Sequence, residues 1–229
     1  MAGEDDLGGA IFGWVGTVLA TYFYIAPIVP YLKLIKGQLT YKEVPGILLL
    51  CSLINCVLWS AYALLKNQFN NYLANGLGGS ITLIYVSMFL MYFAEKKILL
   101  SLIYHLFLIA CVVEIYFLCY YIVDPKVTGI IANIFNVLMY AAPGEKIKTI
   151  CETGNYELIP IFSTIGGMAC STSWMLYGFY QKDPIVITPN ALGVTVSIVQ
   201  IVVYIIYRNK MKKKKKKDLK NEEESEKVV

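Results

Sequence analysis

W-S-A-Y-A-L-L-K-N-Q-F-N-N-Y-L-A-N-G-L-G (residues 59–78) and W-M-L-Y-G-F-Y-Q-K-D-P-I-V-I-T-P-N-A-L-G (residues 174–193) carry the same landmarks at the same spacing. Trp59 falls on Trp174, Tyr62 on Tyr177, Asn75 on Asn190 and Gly78 on Gly193, each 115 positions on. Further out, the register also pairs Tyr41 with Tyr156, Pro45 with Pro160, Leu77 with Leu192 and Tyr92 with Tyr207. With one residue of slack, Pro27 falls on Pro143. Rare residues agreeing in a single register mark an internal repeat.

The repeat lies in a chain built for lipid. Of 229 residues, 57% are apolar and 16% charged, against about 25% charged in an ordinary soluble domain. That composition excludes a disordered chain and argues against a soluble globular one. Stretches free of Asp, Glu, Lys and Arg cover residues 7–32, 44–65, 68–94, 98–123, 127–144, 158–181 and 184–207, with Glu114 the sole interruption. A helix needs about 20 residues to cross a ~30 Å hydrocarbon core. Lipid cannot satisfy an open backbone, and barrel strands would be shorter and alternating. The expectation is an all-α membrane protein with seven transmembrane helices.

The repeat covers predicted helices 1–3 and 5–7, leaving helix 4 unpaired. A three-helix unit ends on the face opposite its start, and one extra crossing restores the starting side. The two units are then parallel three-helix bundles about a pseudo-twofold axis along the membrane normal, joined by a linker helix (3+1+3). The divisions are an N-terminus (1–10), a first repeat (11–94), the linker helix (95–124), a second repeat (125–207) and a Lys-rich then acidic tail (208–229).

Charge orients the bundle. Before helix 1 stand Glu4, Asp5 and Asp6 and no Lys or Arg; after helix 7 come Arg208, Lys210 and Lys212. The predicted inner loops carry Lys33, Lys36, Lys42, Lys96, Lys97, Lys146 and Lys148, and the outer loops only Lys66, Lys126 and Lys182. Positive charge stays inside, so the N-terminus is expected outside and the C-terminus in the cytosol; the plasma membrane is the expected location, with an intracellular membrane as the alternative. No cleavable signal peptide is expected, for want of a positive n-region. The lysines at 212–217 read equally as an anchor on anionic lipid or a solvated tail.

Chemistry follows from depth. Trp59 lies 14 residues, or about 21 Å of helix, beyond Pro45, and Asn75 lies near the start of the returning helix. Trp59, Asn75, Trp174 and Asn190 are thus expected to converge on the axis. Carboxamides both donate and accept, matching hydroxyls, and an indole is a flat apolar platform with one donor. The set suits a neutral polyhydroxylated solute. Pro27, Pro45, Pro143 and Pro160 are expected around an inner gate, the first and third kinking their helices. Pro30 has no counterpart, so helix 1 should be the more distorted. Gly76, Gly78, Gly79, Gly166 and Gly167 read as close-packing positions. Glu114 is alone on the unpaired helix and reads as structural, which favours uncoupled transport over proton coupling.

At these residues the chain resembles the eukaryotic SWEET (MtN3/saliva) sugar transporters, a family with the parallel-repeat arrangement. The resemblance is carried by A-P-I-V-P-Y-L-K (26–33), V-P-G (44–46), N-C-V-L-W-S-A-Y-A (55–63), A-N-G-L-G (74–78), W-M-L-Y-G-F-Y-Q-K-D (174–183) and P-N-A-L-G (189–193). It implies a pocket at Asn75, Asn190, Trp59 and Trp174, with Phe23, Asn55, Leu138 and Cys170 as lining neighbours. It implies a cytosolic proline tetrad at Pro27, Pro45, Pro143 and Pro160, and an outer gate of Tyr62 with Asp183. It also implies downhill, bidirectional movement of mono- or disaccharides by alternating access, and a homo-oligomer. Ala63 stands where the family usually has Gly.

Other classes fit less well. A seven-helix receptor shares the topology but lacks a parallel repeat. PQ-loop carriers need Pro-Gln pairs, whereas Gly46 and Ile161 follow the relevant prolines. One His excludes a multi-histidine metal site, the six Cys read as free thiols, and nothing resembles a nucleophile–base pair. No enzyme activity, cofactor, metal or nucleic-acid partner is expected; the expected partners are sugar, the bilayer and further copies of the chain.

Overall fold

The computed structural model describes residues 2–139 and 141–226, with side-chain surroundings from residue 7 to 214 apart from 141 and 142. The acidic side chains at positions 4–6 and the tail lysines from 215 onward lie outside that description. Helices make up the regular structure of the described residues. They are α1 (Ala2–Ile25), α2 (Ile28–Ile35), α3 (Gly46–Leu65), α4 (Phe69–Phe93), α5 (Ile98–Tyr121), α6 (Pro125–Met139), α7 (Ala141–Thr153), α8 (Ile161–Tyr180) and α9 (Pro184–Glu226).

Seven crossings result, because α1 with α2 and α6 with α7 each form one span. Pro27 breaks the first: it has no N–H to donate and sits between the two segments at φ −65°, ψ −2°. Pro30 falls within the first turn of α2, where a missing N–H costs little. Pro45 and Pro160 stand immediately before α3 and α8, both at φ −75°. Six crossings are long and apolar enough to enter a bilayer on composition alone. The seventh, α8, has the length but carries Ser163, Thr164, Ser171, Thr172 and Ser173. Thr164, Thr172 and Ser173 donate to their own helix's carbonyls four residues back, so α8 can hold them without an outside partner.

The register of 115 recurs in the folded chain. The 3₁₀ turns Tyr41–Glu43 and Tyr156–Leu158 precede α3 and α8. Both helices have 20 residues, and the turns after them use Asn67 (φ 55°) and Lys182 (φ 52°). The residues before the 3₁₀ turns also correspond. Thr40 donates its N–H and its hydroxyl to Glu43, which holds that carboxyl below its ordinary range; Asn155 accepts from the Glu157 N–H.

Within the halves, α3 packs on α4 as α8 packs on α9, and α1 meets α4 as α6 meets α9. Between the halves, α1 packs on α8 and α3 on α6. Exchanging the halves turns one of these contacts into the other, as a pseudo-twofold axis requires. The linker α5 lies outside, against α3 and α4, with Ile98, Leu99, Leu106 and Phe107 more than two-thirds exposed. An apolar flank of that extent belongs in lipid. The tail continues α9 as helix to Glu226, so α9 has 43 residues and extends about 65 Å.

The main core straddles the halves: Trp59, Tyr62 and Ala74 from one, Ala132, Trp174, Tyr177 and Val186 from the other. Gly129 lets α6 close on it. A Cβ there would meet Ile185 Cγ2 at 2.6 Å and the Tyr62 ring at 2.9 Å. Gly78 likewise leaves room for Tyr24, but Gly76 and Gly167 face open space, so close packing does not account for those two. Gly129→Ala is expected to destabilise the fold by about 1–3 kcal/mol through overpacking, while Gly76→Ala is neutral or better. Thermal unfolding of the two purified variants in one detergent checks the contrast, and equal melting temperatures would contradict it.

Candidate functional site

A cavity of about 540 Å³ lies between the halves, within the ~300–1,000 Å³ usual for small-molecule sites. Phe23, Tyr24 and Pro27 line it from the first span, Pro45 from just before α3, Ser52 from α3 itself, and Cys170 and Trp174 from α8. The lining is mostly apolar; Tyr24, Tyr31, Ser52, Thr82, Tyr85 and Ser171 are its hydroxyl-bearing residues, and none of its residues is charged. Tyr31 stacks on Tyr85 with ring centroids 4.4 Å apart, and its buried hydroxyl has no partner.

The two indoles repeat in detail. Trp59 meets Tyr62 edge-on at 5.5 Å and 87°, and Trp174 meets Tyr177 at 5.3 Å and 85°. Residues three apart share a helix face, so each pair projects as one aromatic unit. Gly16 of α1 brings the backbone close to Trp174, where a Cβ would meet the indole at 2.9 Å. Only Trp174 lines the cavity; Trp59 is 5% exposed within the core.

The carboxamides are placed differently from one another. Asn75 donates to the Asn71 carbonyl at 2.9 Å and to Asn71 Oδ1 at 2.8 Å. It borders a second hollow of about 480 Å³, shared with Ser60, Tyr72 and Tyr116 between α3, α4 and α5. Asn190 is half-buried and donates to the Val186 carbonyl at 2.8 Å. Asn55 is buried on α3 and donates to Asn136 Oδ1 of α6 at 3.0 Å, its own oxygen left unpartnered. Leu138 is 53% exposed and outside the lining, which the next residue, Met139, joins instead. Of the four matched prolines, Pro27 and Pro45 line the cavity. Pro143 is half-buried in the first turn of α7, and Pro160 is exposed.

The far end is closed. Asp183, 4% exposed, takes the Tyr62 hydroxyl at 2.7 Å and the Gln68 amide at 2.6 Å on one carboxylate oxygen. Its other oxygen accepts the Ile185 N–H at 3.0 Å, tying the carboxylate to the start of α9. Two of the three donors on this buried carboxylate, Tyr62 and Gln68, come from the other half and clasp the two halves together. Sequence reading missed Gln68, although the register pointed to it: Gln68 is the counterpart of Asp183, 115 positions on. Asn136 was also missed, its one signal being Asn133 and Asn136 on one face of an otherwise apolar run. Among the described residues, no three His, Cys, Asp or Glu are grouped to hold a metal ion.

Comparison with known proteins agrees with this architecture. The family model described as a sugar efflux transporter for intercellular exchange matches twice, at residues 10–97 and 126–212. The bidirectional sugar transporter SWEET1a of Oryza sativa subsp. japonica is 33% identical over 215 residues, covering 90% of this chain and 77% of that protein. The Sorghum bicolor SWEET1a is 32% identical over 214 residues, covering 89% and 78%. A solved eukaryotic SWEET transporter superposes with a TM-score of 0.78 at 20% identity, covering 90% of this chain and 99% of the other. Two matched repeats, a shared fold and these relatives establish that the chain belongs to the SWEET family of sugar transporters.

Proposed function

We propose that this protein carries mono- or disaccharides in both directions, without ion coupling, by alternating access between its two halves. The observation that carries this reading is the uncharged cavity between the repeats, walled by Trp174 with hydroxyl-bearing residues among its lining, and closed at one end by a buried clasp. Such a space suits a neutral ring with many hydroxyls. Asn75, Asn190 and Trp59 join the site as the halves move. The helix break at Pro27 and the prolines opening α3 and α8 let the other end close. Glu114 is exposed on α5, away from the cavity, which supports uncoupled movement. The relatives named for bidirectional sugar transport support the substrate class.

The lysines that follow α2 and α4 belong to the cavity's open end. We therefore place that end in the cytosol of a plasma-membrane protein, with the N-terminus outside. The exposed flank of α5 leaves a face for further copies of the chain. Proteoliposomes are expected to take up labelled glucose, fructose, galactose or sucrose without a proton gradient. Uptake that collapses with a protonophore would overturn the uncoupled mechanism and promote Glu114; no uptake of any of the four would overturn the sugar reading.

A further inference from the structure

The clasp does not end at Gln68. Gln68 donates through Nε2 to Asp183 Oδ2 at 2.6 Å and accepts on Oε1 from Asn71 Nδ2 at 2.9 Å. Asn71 in turn accepts on Oδ1 from Asn75 Nδ2 at 2.8 Å. Residues 68, 71 and 75 lie on one face at the start of α4, at the spacing that stacks side chains. Gln68 and Asn71 are each 4% exposed.

The ladder has a fixed direction. An ionised carboxylate only accepts, so Gln68 must turn its NH₂ to Asp183 and its oxygen to Asn71. Asn71 must then give its NH₂ to Gln68 and keep its oxygen for Asn75. One charge at the closed end therefore orients three carboxamides in series, the last of them Asn75.

The second repeat shows what helix packing alone requires. Asn190 makes the same bond to the carbonyl four residues back, but the residue there is Val186, the counterpart of Asn71. That half has the backbone bond and no ladder. The links through the Asn71 and Gln68 side chains are thus an addition confined to one half.

We propose that Gln68 and Asn71 are positioning residues that couple occupancy at Asn75 to the clasp on Asp183. This rests on the sugar reading above. In the closed state Asn75 Nδ2 donates to both the carbonyl and the side-chain oxygen of Asn71. A sugar oxygen that accepts from Asn75 Nδ2 on the side of the Asn71 carboxamide displaces Asn71 Oδ1. Asn71 then keeps only its bond to Gln68, its carboxamide is held at one end instead of two, and Gln68 holds Asp183 less firmly beside Tyr62. Binding at Asn75 thereby loosens the closed end.

The test is hydrogen–deuterium exchange of the full-length protein in lipid nanodiscs, read at residues 63–72 and 178–188, with and without the sugar that it transports best. In the wild type, saturating sugar is expected to speed exchange there by at least about fivefold, the low end of measured coupling between sites. Asn71→Leu removes both links at matched size. Asn71→Asp keeps the acceptor for Asn75 but leaves Gln68 with two carboxylates and one NH₂ to give. Both variants are expected to exchange fast without sugar and to lose the response to it. A merely structural role would lower stability yet keep the sugar response. Wild-type exchange indifferent to a sugar that the protein does transport would overturn the relay while sparing the sugar reading, as would variants responding like the wild type. If no sugar is transported, both fall.

Discussion

Asp183→Ala is expected to reduce transport more than tenfold in both directions while the protein still folds. The substitution leaves the Tyr62 hydroxyl, the Gln68 amide and the Ile185 N–H without their acceptor in a buried site. Hydrogen bonds to a charged group contribute about 1.5–3 kcal/mol each, and orphaned buried donors add a further cost. Losing the two such bonds that cross the halves shifts the closed-to-open ratio by at least about a hundredfold, since 1.4 kcal/mol is tenfold. A carrier whose clasped end cannot shut does not alternate. Asp183→Asn retains one acceptor oxygen and should fall between. Efflux from preloaded proteoliposomes measures all three proteins, and wild-type efflux from a folded Asp183→Ala protein would refute the clasp.

Trp174→Ala is expected to cost about 3–5 kcal/mol of stability, as removal of a buried aromatic does, and to abolish sugar binding. The two effects come from opposite sides of one side chain. One side packs on Tyr177 and on the backbone at Gly16; the other forms the wall of the cavity. Trp174→Phe keeps an apolar face and should recover most of the stability with weaker binding, because the smaller ring covers less of a sugar. Calorimetric titration together with thermal unfolding separates the losses. Unchanged affinity in Trp174→Ala would remove the indole from the site.

The sequence made plain whatever the repeat wrote twice. Trp59 with Trp174 and Tyr62 with Tyr177 appear as matched aromatic pairs, and the register reappears in helix ends and turn residues. What the repeat changed in type stayed hidden. Gln68 and Asp183 occupy equivalent positions and bond to each other, but a search for identical residues passes over a pair that differs in chemistry. Counting residues gives height along a helix and not direction around it. Asn75 and Trp59 were placed at a depth, and only coordinates show Asn75 beside α5 and Trp59 inside the core. A one-residue step turns a side chain by about 100°, which is why Met139 rather than Leu138 reaches the cavity. The tail read as charge; Lys and Glu are also good helix formers, and α9 continues through it.

The hydroxyl-rich character of α8 bears on how the chain is made. A segment with so many serines and threonines leaves an aqueous translocation channel for lipid less readily than its six companions. α9 is synthesised directly after it, and α1 is already in the membrane; these are its two chief neighbours in the finished fold. Insertion of α8 therefore depends on helices on either side of it in synthesis order. Truncation just after Tyr180 would leave that crossing poorly anchored, even though every residue of it had been translated.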